Sequence, residues 1–170
     1  MSNTLRYTST NGRIVLPTTT QMEDDNRIVN NTYKGGVGTI EFADELTIIP
    51  KAFFRGAWTL ETIIIPNSVR MIEDGAFEKC RHLKKVKLQD GLLSIGKRSF
   101  AGTGLEKVII PSSIVVVCSE AFSHCDNLTS VYFKKPKSAC VIGERCFHFS
   151  PTIIEKIYEY DILALSAFDI

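Results

Sequence analysis

Phenylalanine recurs in this chain at a spacing that leaves few folds open. Phe53, Phe77, Phe100, Phe122 and Phe147 lie 24, 23, 22 and 25 residues apart, and each follows a small residue: Ala52, Ala76, Ser99, Ala121 or Cys146. After each pair come a turn and an apolar triplet of the form L-x-x-V-x-I. The copies are Leu60, Ile63, Ile65; Leu83, Val86, Leu88; Leu105, Val108, Ile110; Leu128, Val131, Phe133; and a less regular Ile154 and Ile157. Self-similarity at a period of roughly 20 to 50 residues marks a stacked array, in which each unit buries its apolar side against its neighbours. The chain is expected to be a solenoid, and solenoids mostly bind.

The spacing within a repeat predicts which atoms meet. Lys85-Val86-Lys87-Leu88 alternates polar and apolar residues, the period of a strand with one face buried, so Val86 and Leu88 point inward. Pro66, Asp90-Gly91, Pro111 or Pro136 then bends the chain. A second apolar pair returns at Val69/Ile72, Leu92/Ile95, Ile114/Val117 or Ala139/Ile142, four residues before the small residue that precedes each Phe. The small side chain permits a tight turn, and the Phe fills the coil.

The register extends backwards to a strand at Val37, Ile40 and Phe42, and forwards to Tyr160, Leu163, Ala167 and Phe168. About six coils are predicted, forming a parallel ladder about 25 to 30 Å long at ~4.8 Å per strand. The segment 73–80 has room for a turn or two of helix at most. Residues 1–36 lie outside the repeat, and residues 37–170 form it, in one structural domain. Asn11-Gly12, between Leu5/Tyr7 and Ile14/Leu16, predicts a hairpin that caps the open end of the first coil. At the other end Leu163, Leu165, Phe168 and Ile170 make an apolar finish. Either these residues fold over the last coil, or a partner, a second copy or a continuation of the chain covers them.

Composition agrees with a folded chain: 44% of the 170 residues are hydrophobic and 23% charged. A formal charge of +1 creates no overall field that would favour nucleic acid or an anionic membrane. No stretch approaches the ~20 consecutive apolar residues of a membrane span. Met1 to Leu16 lacks the apolar run of a secretory signal.

The segment 60–80, LETIIIPNSVRMIEDGAFEKC, resembles the leucine-rich repeats of the BspA-like surface proteins of bacteria, also called Treponema-type repeats. The likeness covers about three quarters of the chain. It implies an α/β, strand-dominated fold: a right-handed leucine-rich repeat solenoid with a parallel sheet on the concave face and short turns or single helical turns on the convex side. It also implies a cell-surface or secreted protein that serves adhesion or recognition through the concave sheet. Leu88-Gln89-Asp90 departs by lacking the proline, and Lys134 to Lys137 departs as an insertion.

Cys80-x-His82, His124-Cys125 and Cys146-x-His148 look like fragments of a zinc site. Register argues otherwise. Cys80 and Cys125 share a repeat position with Gly102 between them, so they should stand ~9.5 Å apart, too far for one metal or one disulfide. Cys118 and Cys140 are out of register in adjacent coils. No metal, cofactor or disulfide is expected, and an odd count of five cysteines does not suit a disulfide-stapled protein. Gly75, Arg98, Glu120 and Arg145 fall in one column, which predicts an ion-pair ladder through the last three. Glu73, Asp74 and Glu144 lie near it, open to water, so catalysis is not expected.

Residues flanking the inward strand positions should face outward from the sheet. After Thr39 and Glu41 these are Thr62 and Ile64, Lys85 and Lys87, Lys107 and Ile109, Ser130 and Tyr132, Lys156 and Tyr158. Apolar and aromatic side chains beside a lysine stripe mark a partner surface, so these ten residues from Thr62 to Tyr158 are the candidate site for a protein or glycan ligand. The same pattern would arise in a ladder whose cross-strand pairs only stabilise it. Two functions remain open: a non-enzymatic binding module at a cell surface or on a virion, or a structural spacer in a larger surface protein or phage fibre.

Overall fold

A computed structural model describes residues 3–18, 27–134 and 140–151. The expected last coil, with Ile154, Ile157, Leu163 and Phe168, and Pro136 with most of the 134–137 insertion lie outside the described residues.

Each coil has three sides. The first carries the longer strands β5 (Leu60–Ile64), β7 (Lys85–Lys87), β9 (Lys107–Ile110) and β11 (Ser130–Phe133). The second carries two-residue strands: β4 (Ile48–Ile49), β6 (Met71–Ile72), β8 (Ser94–Ile95), β10 (Val116–Val117) and β12 (Val141–Ile142). These five form one unbroken parallel sheet, β12-β10-β8-β6-β4. The third side is the turn that carries the phenylalanine. Four longer strands and five short ones are described, within the six coils expected. The chain is strand-dominated, and no helix occurs among the described residues. Of the short turns or single helical turns expected on the convex side, the short hydrogen-bonded turns occur, beside the short-strand sheet.

The turns ladder as the strands do. Phe54 N donates to Ala76 O at 2.7 Å, Phe77 N to Ser99 O at 2.7 Å, Phe100 N to Ala121 O at 2.9 Å and Phe122 N to Cys146 O at 2.8 Å. The first ring of the interior stack is therefore Phe54, not Phe53. Phe53 takes the place of the small residue, beside Ala76, Ser99 and Ala121, and meets Phe54 edge-on at 4.6 Å. The corrected stack is Phe54, Phe77, Phe100, Phe122 and Phe147, with centroids 5.0 to 5.6 Å apart and planes within 16° of parallel.

Two columns flank the rings at two residues on either side, and both adopt the left-handed backbone. Ala52, Gly75, Arg98, Glu120 and Arg145 have φ between 54° and 65°, and Gly56, Lys79, Gly102, His124 and Phe149 have φ between 55° and 71°. This doubled left-handed kink turns the chain around the ring. Non-glycine residues bear a local cost of about 1–2 kcal/mol at such positions, and the backbone bonds between coils offset it.

The N-terminal cap differs from expectation in its pairing. β1 (Thr4–Ser9) lies between β3 (Val37–Phe42) and β5, antiparallel to both, and β2 (Ile28–Lys34) pairs antiparallel with β3. The strand at Val37, Ile40 and Phe42 is thus no first rung of the parallel ladder but part of a three-stranded antiparallel cap. Its hairpin turns at Gly35-Gly36. Asn11-Gly12 does form a turn, with Gly12 N on Ser9 O at 3.4 Å, but the described residues 13–18 after it form no strand. Both edges of β1 are already occupied, so Ile14 and Leu16 have no ladder to join and stay exposed. Tyr7 anchors the segment instead: its hydroxyl donates to Asn31 Oδ1 at 2.9 Å and accepts from Val15 N at 3.1 Å. Burial raises the Tyr7 pKa above its ordinary value.

Candidate functional site

Alternation along the longer strands sends Ile63, Val86, Val108 and Val131 into the core and their neighbours outward. Register then sets the outward rows. Thr62 pairs with Lys85 and Ile64 with Lys87; Lys107 pairs with Ser130 and Ile109 with Tyr132. Lys85 and Lys107 are exposed, and Thr62, Ile64, Lys87, Ile109, Ser130 and Tyr132 are half-buried against their row neighbours. Lys156 and Tyr158 lie outside the described residues. Eight of the ten expected residues therefore occupy one face, in two register-matched pairs of strands.

The cap extends this face. Arg6 pairs with Ile64 and Thr39, and Thr8 with Thr62, where the two hydroxyl oxygens lie 2.8 Å apart. Sequence reasoning missed Arg6 and Thr8 because their partners are remote in the chain. Their signal was the alternation of Leu5 and Tyr7 inward with Arg6 and Thr8 outward. Arg6, Lys85, Lys87 and Lys107 make the face cationic; Lys84 is held off it by Glu61, at 3.9 Å.

The ladder is interrupted between β7 and β9, which share no strand pairing. Coil three has one residue fewer between Phe100 and Leu105 than its neighbours have between Phe77 and Leu83 or Phe122 and Leu128. Coil two also lacks the proline that begins the return at Pro66 and Pro111. Lys85 and Lys107 occupy equivalent positions on either side of the gap, an arrangement in which like charges repel.

Elsewhere the polar groups serve the scaffold. Glu73 Oε2 accepts Lys51 N at 2.7 Å, and Asp74 Oδ1 accepts Lys97 N at 2.7 Å, so both carboxylates tie down the backbone of adjacent coils. The expected ion-pair ladder forms at its Arg98–Glu120 step and extends back through Glu78 to Arg55. Glu78, 5% exposed, meets Arg55 Nε at 3.0 Å and Arg98 Nη2 at 2.8 Å; Arg98 also reaches Glu120 at 3.9 Å. Arg145 takes no part in it among the described residues.

Cys80 and Cys125 do share a repeat position, but the residue between them is Thr103, since the shortened segment of coil three lies beyond it. All three are buried. Cys80 Sγ donates to Phe54 O at 2.9 Å and Cys125 Sγ to Phe100 O at 3.1 Å. Burial pushes the Cys80 thiol up to about 12 and raises that of Cys125. No group of three or more His, Cys, Asp or Glu that could hold a metal occurs among the described residues. Nor is any helix among them long and apolar enough to cross a membrane.

A coil whose inward columns are leucine, isoleucine and valine on one side and stacked phenylalanine on another defines a leucine-rich repeat solenoid. The chain belongs to the BspA-type leucine-rich repeat family, whose model matches residues 47–166 in six copies. Two solved structures share the fold. The pneumococcal vaccine antigen PcpA is 18% identical with a TM-score of 0.54, over 89% of this chain and 45% of its own. A leucine-rich cell surface protein from Faecalibacterium prausnitzii A2-165 is 24% identical with a TM-score of 0.55, over 100% of this chain and 42% of its own. The chain thus spans less than half the length of either. No curated protein matches it.

Proposed function

We propose that the chain is a non-enzymatic recognition module that holds a protein or glycan of a cell surface against its long-strand face. The observation that carries this reading is the register: Ile64 beside Lys87 and Ile109 beside Tyr132, half-buried among Arg6, Lys85 and Lys107. Apolar and aromatic side chains ringed by charge are the usual composition of a partner surface, and Tyr is enriched where binding energy concentrates. The fold shared with a leucine-rich cell surface protein supports location at a surface.

The test is the double variant Lys87→Ala/Tyr132→Ala, with labelled chain titrated onto whole bacterial and epithelial cells. Thermal stability should stay close to that of the parent and cell binding should fall at least tenfold. Equal binding by parent and variant would remove the long-strand face from the account. A second reading, a rigid spacer in a larger surface protein or fibre, is favoured by the unbroken short-strand sheet and the continuous ring stack. A parent chain that binds neither cell type supports the spacer.

A further inference from the structure

Coil three carries a notch on the corner between the phenylalanine turn and the long-strand side, away from the face discussed above. Where the neighbouring coils present side chains, coil three presents Gly102 two residues past its ring and Gly104 four past it, and the next position is missing. A depression of about 470 Å³ results, within the range of small-ligand sites, roughly 300 to 1,000 Å³. Gly104 is obligatory, since a Cβ there would lie 2.4 Å from Arg81 O.

The two walls differ in chemistry. Coil two supplies Lys79 and Arg81, exposed cations with no ion-pair partner among the described residues. Coil four supplies His124, Asp126 and Asn127. Arg98 reaches the notch already neutralised by Glu78 and Glu120. Trp58 stands one coil beyond Arg81 in the same row; it is 69% exposed and is the only tryptophan of the chain.

We infer that this notch binds an acidic saccharide, a sugar ring bearing a carboxylate. Lys79 and Arg81 receive the carboxylate by charge-assisted hydrogen bonds. Asp126 and Asn127 face the ring hydroxyls, which donate to Asp126. Trp58 offers an apolar ring face to the C–H face of a neighbouring sugar. An acidic peptide fits less well, because it sets further carboxylates against Asp126 and finds no apolar socket for a side-chain anchor. This site is independent of the long-strand face, and the two are separable by mutation.

Trp58, one coil beyond Arg81 and outside the notch lining, reports by its fluorescence a saccharide that extends from the notch onto its ring. The probes are a glucuronate-containing oligosaccharide, a galacturonate oligomer, sialyl-lactose, a neutral N-acetylglucosamine oligomer and a hexaglutamate peptide. At least one acidic saccharide should change the emission saturably at millimolar concentration or below, and the neutral oligomer should not. Added salt should weaken the response. Arg81→Ala and Asp126→Ala should each weaken it at least tenfold, whereas Tyr132→Ala should leave it unchanged. Silence with all three acidic saccharides overturns the inference. So does a response that survives Arg81→Ala, or a tighter response to hexaglutamate. Loss on Tyr132→Ala would return the binding to the long-strand face.

Discussion

Phe77 and Phe100 stack with centroids 5.0 Å apart and planes 7° from parallel, although a whole coil of chain separates them. At this separation the rings fall within the 4.5–7 Å of favourable aromatic pairs. Both are fully buried, and each turn donates its backbone N–H to the next. Packing and hydrogen bonding thus impose the same register, and that shared register holds the two strand sides in place.

Ser99 breaks the apolar column behind those rings. It is 0% exposed, and its Oγ has no hydrogen-bond partner, where the equivalent positions carry Ala76 and Ala121. An unsatisfied buried hydroxyl costs about 1–3 kcal/mol. Ser99→Ala should therefore stabilise the chain by about 1 kcal/mol, read as a higher urea midpoint at unchanged slope. A lower midpoint would show that the hydroxyl has a partner.

Glu78 is a buried carboxylate in ion pairs with two half-exposed arginines, and its Oε1, though 2.8 Å from Arg98 Nη2, makes no hydrogen bond. Hydrogen bonds to charged groups contribute about 1.5–3 kcal/mol. Glu78→Gln should cost that order, and the loss should persist at high salt because a buried pair is screened little. A loss that vanishes in salt would place the interaction at the surface.

Gly56 isolates the backbone contribution of the left-handed turn. Its φ is 71°, and a Cβ built there meets nothing within 4 Å, so Gly56→Ala adds conformational strain without a clash. The expected cost is about 1 kcal/mol, measured by chemical denaturation. A neutral substitution would show that this turn relaxes to another conformation.

The Cys80 thiol gives the fold an alkaline limit. Its pKa is about 12 in the folded chain against an ordinary 9.0, so above pH 9 the unfolded chain releases a proton that the folded chain retains. The corresponding stability is fully present below pH 9 and is lost as pH rises toward 12. The stability difference between parent and Cys80→Ala should be flat below pH 9 and should shift against the parent above it. A difference constant up to pH 11 would contradict the burial of the thiol.

The sequence showed the period, the strand faces and the outward residues from Thr62 to Tyr132, because side-chain alternation and coil spacing are local. What it hid depended on length or on remote pairing. Phe53-Phe54 offered two rings for one socket, and only the backbone bond from Phe54 to Ala76 identifies the stacked one. The missing residue near Gly104 altered alignment, so Gly102 stood where Thr103 belongs. Asn11-Gly12 turned as expected, but β3 and β5 had taken both edges of β1. The notch escaped notice because it is made by side chains that coil three lacks.

A double-mutant cycle on the stacked rings tests the repeat most directly. Phe77→Leu and Phe100→Leu, alone and together, should show a coupling of about 0.5–1.5 kcal/mol, and Phe54→Leu with Phe122→Leu, three coils apart, should be additive. Additivity of the adjacent pair would contradict a continuous ring stack, and with it the solenoid on which both proposed binding surfaces rest.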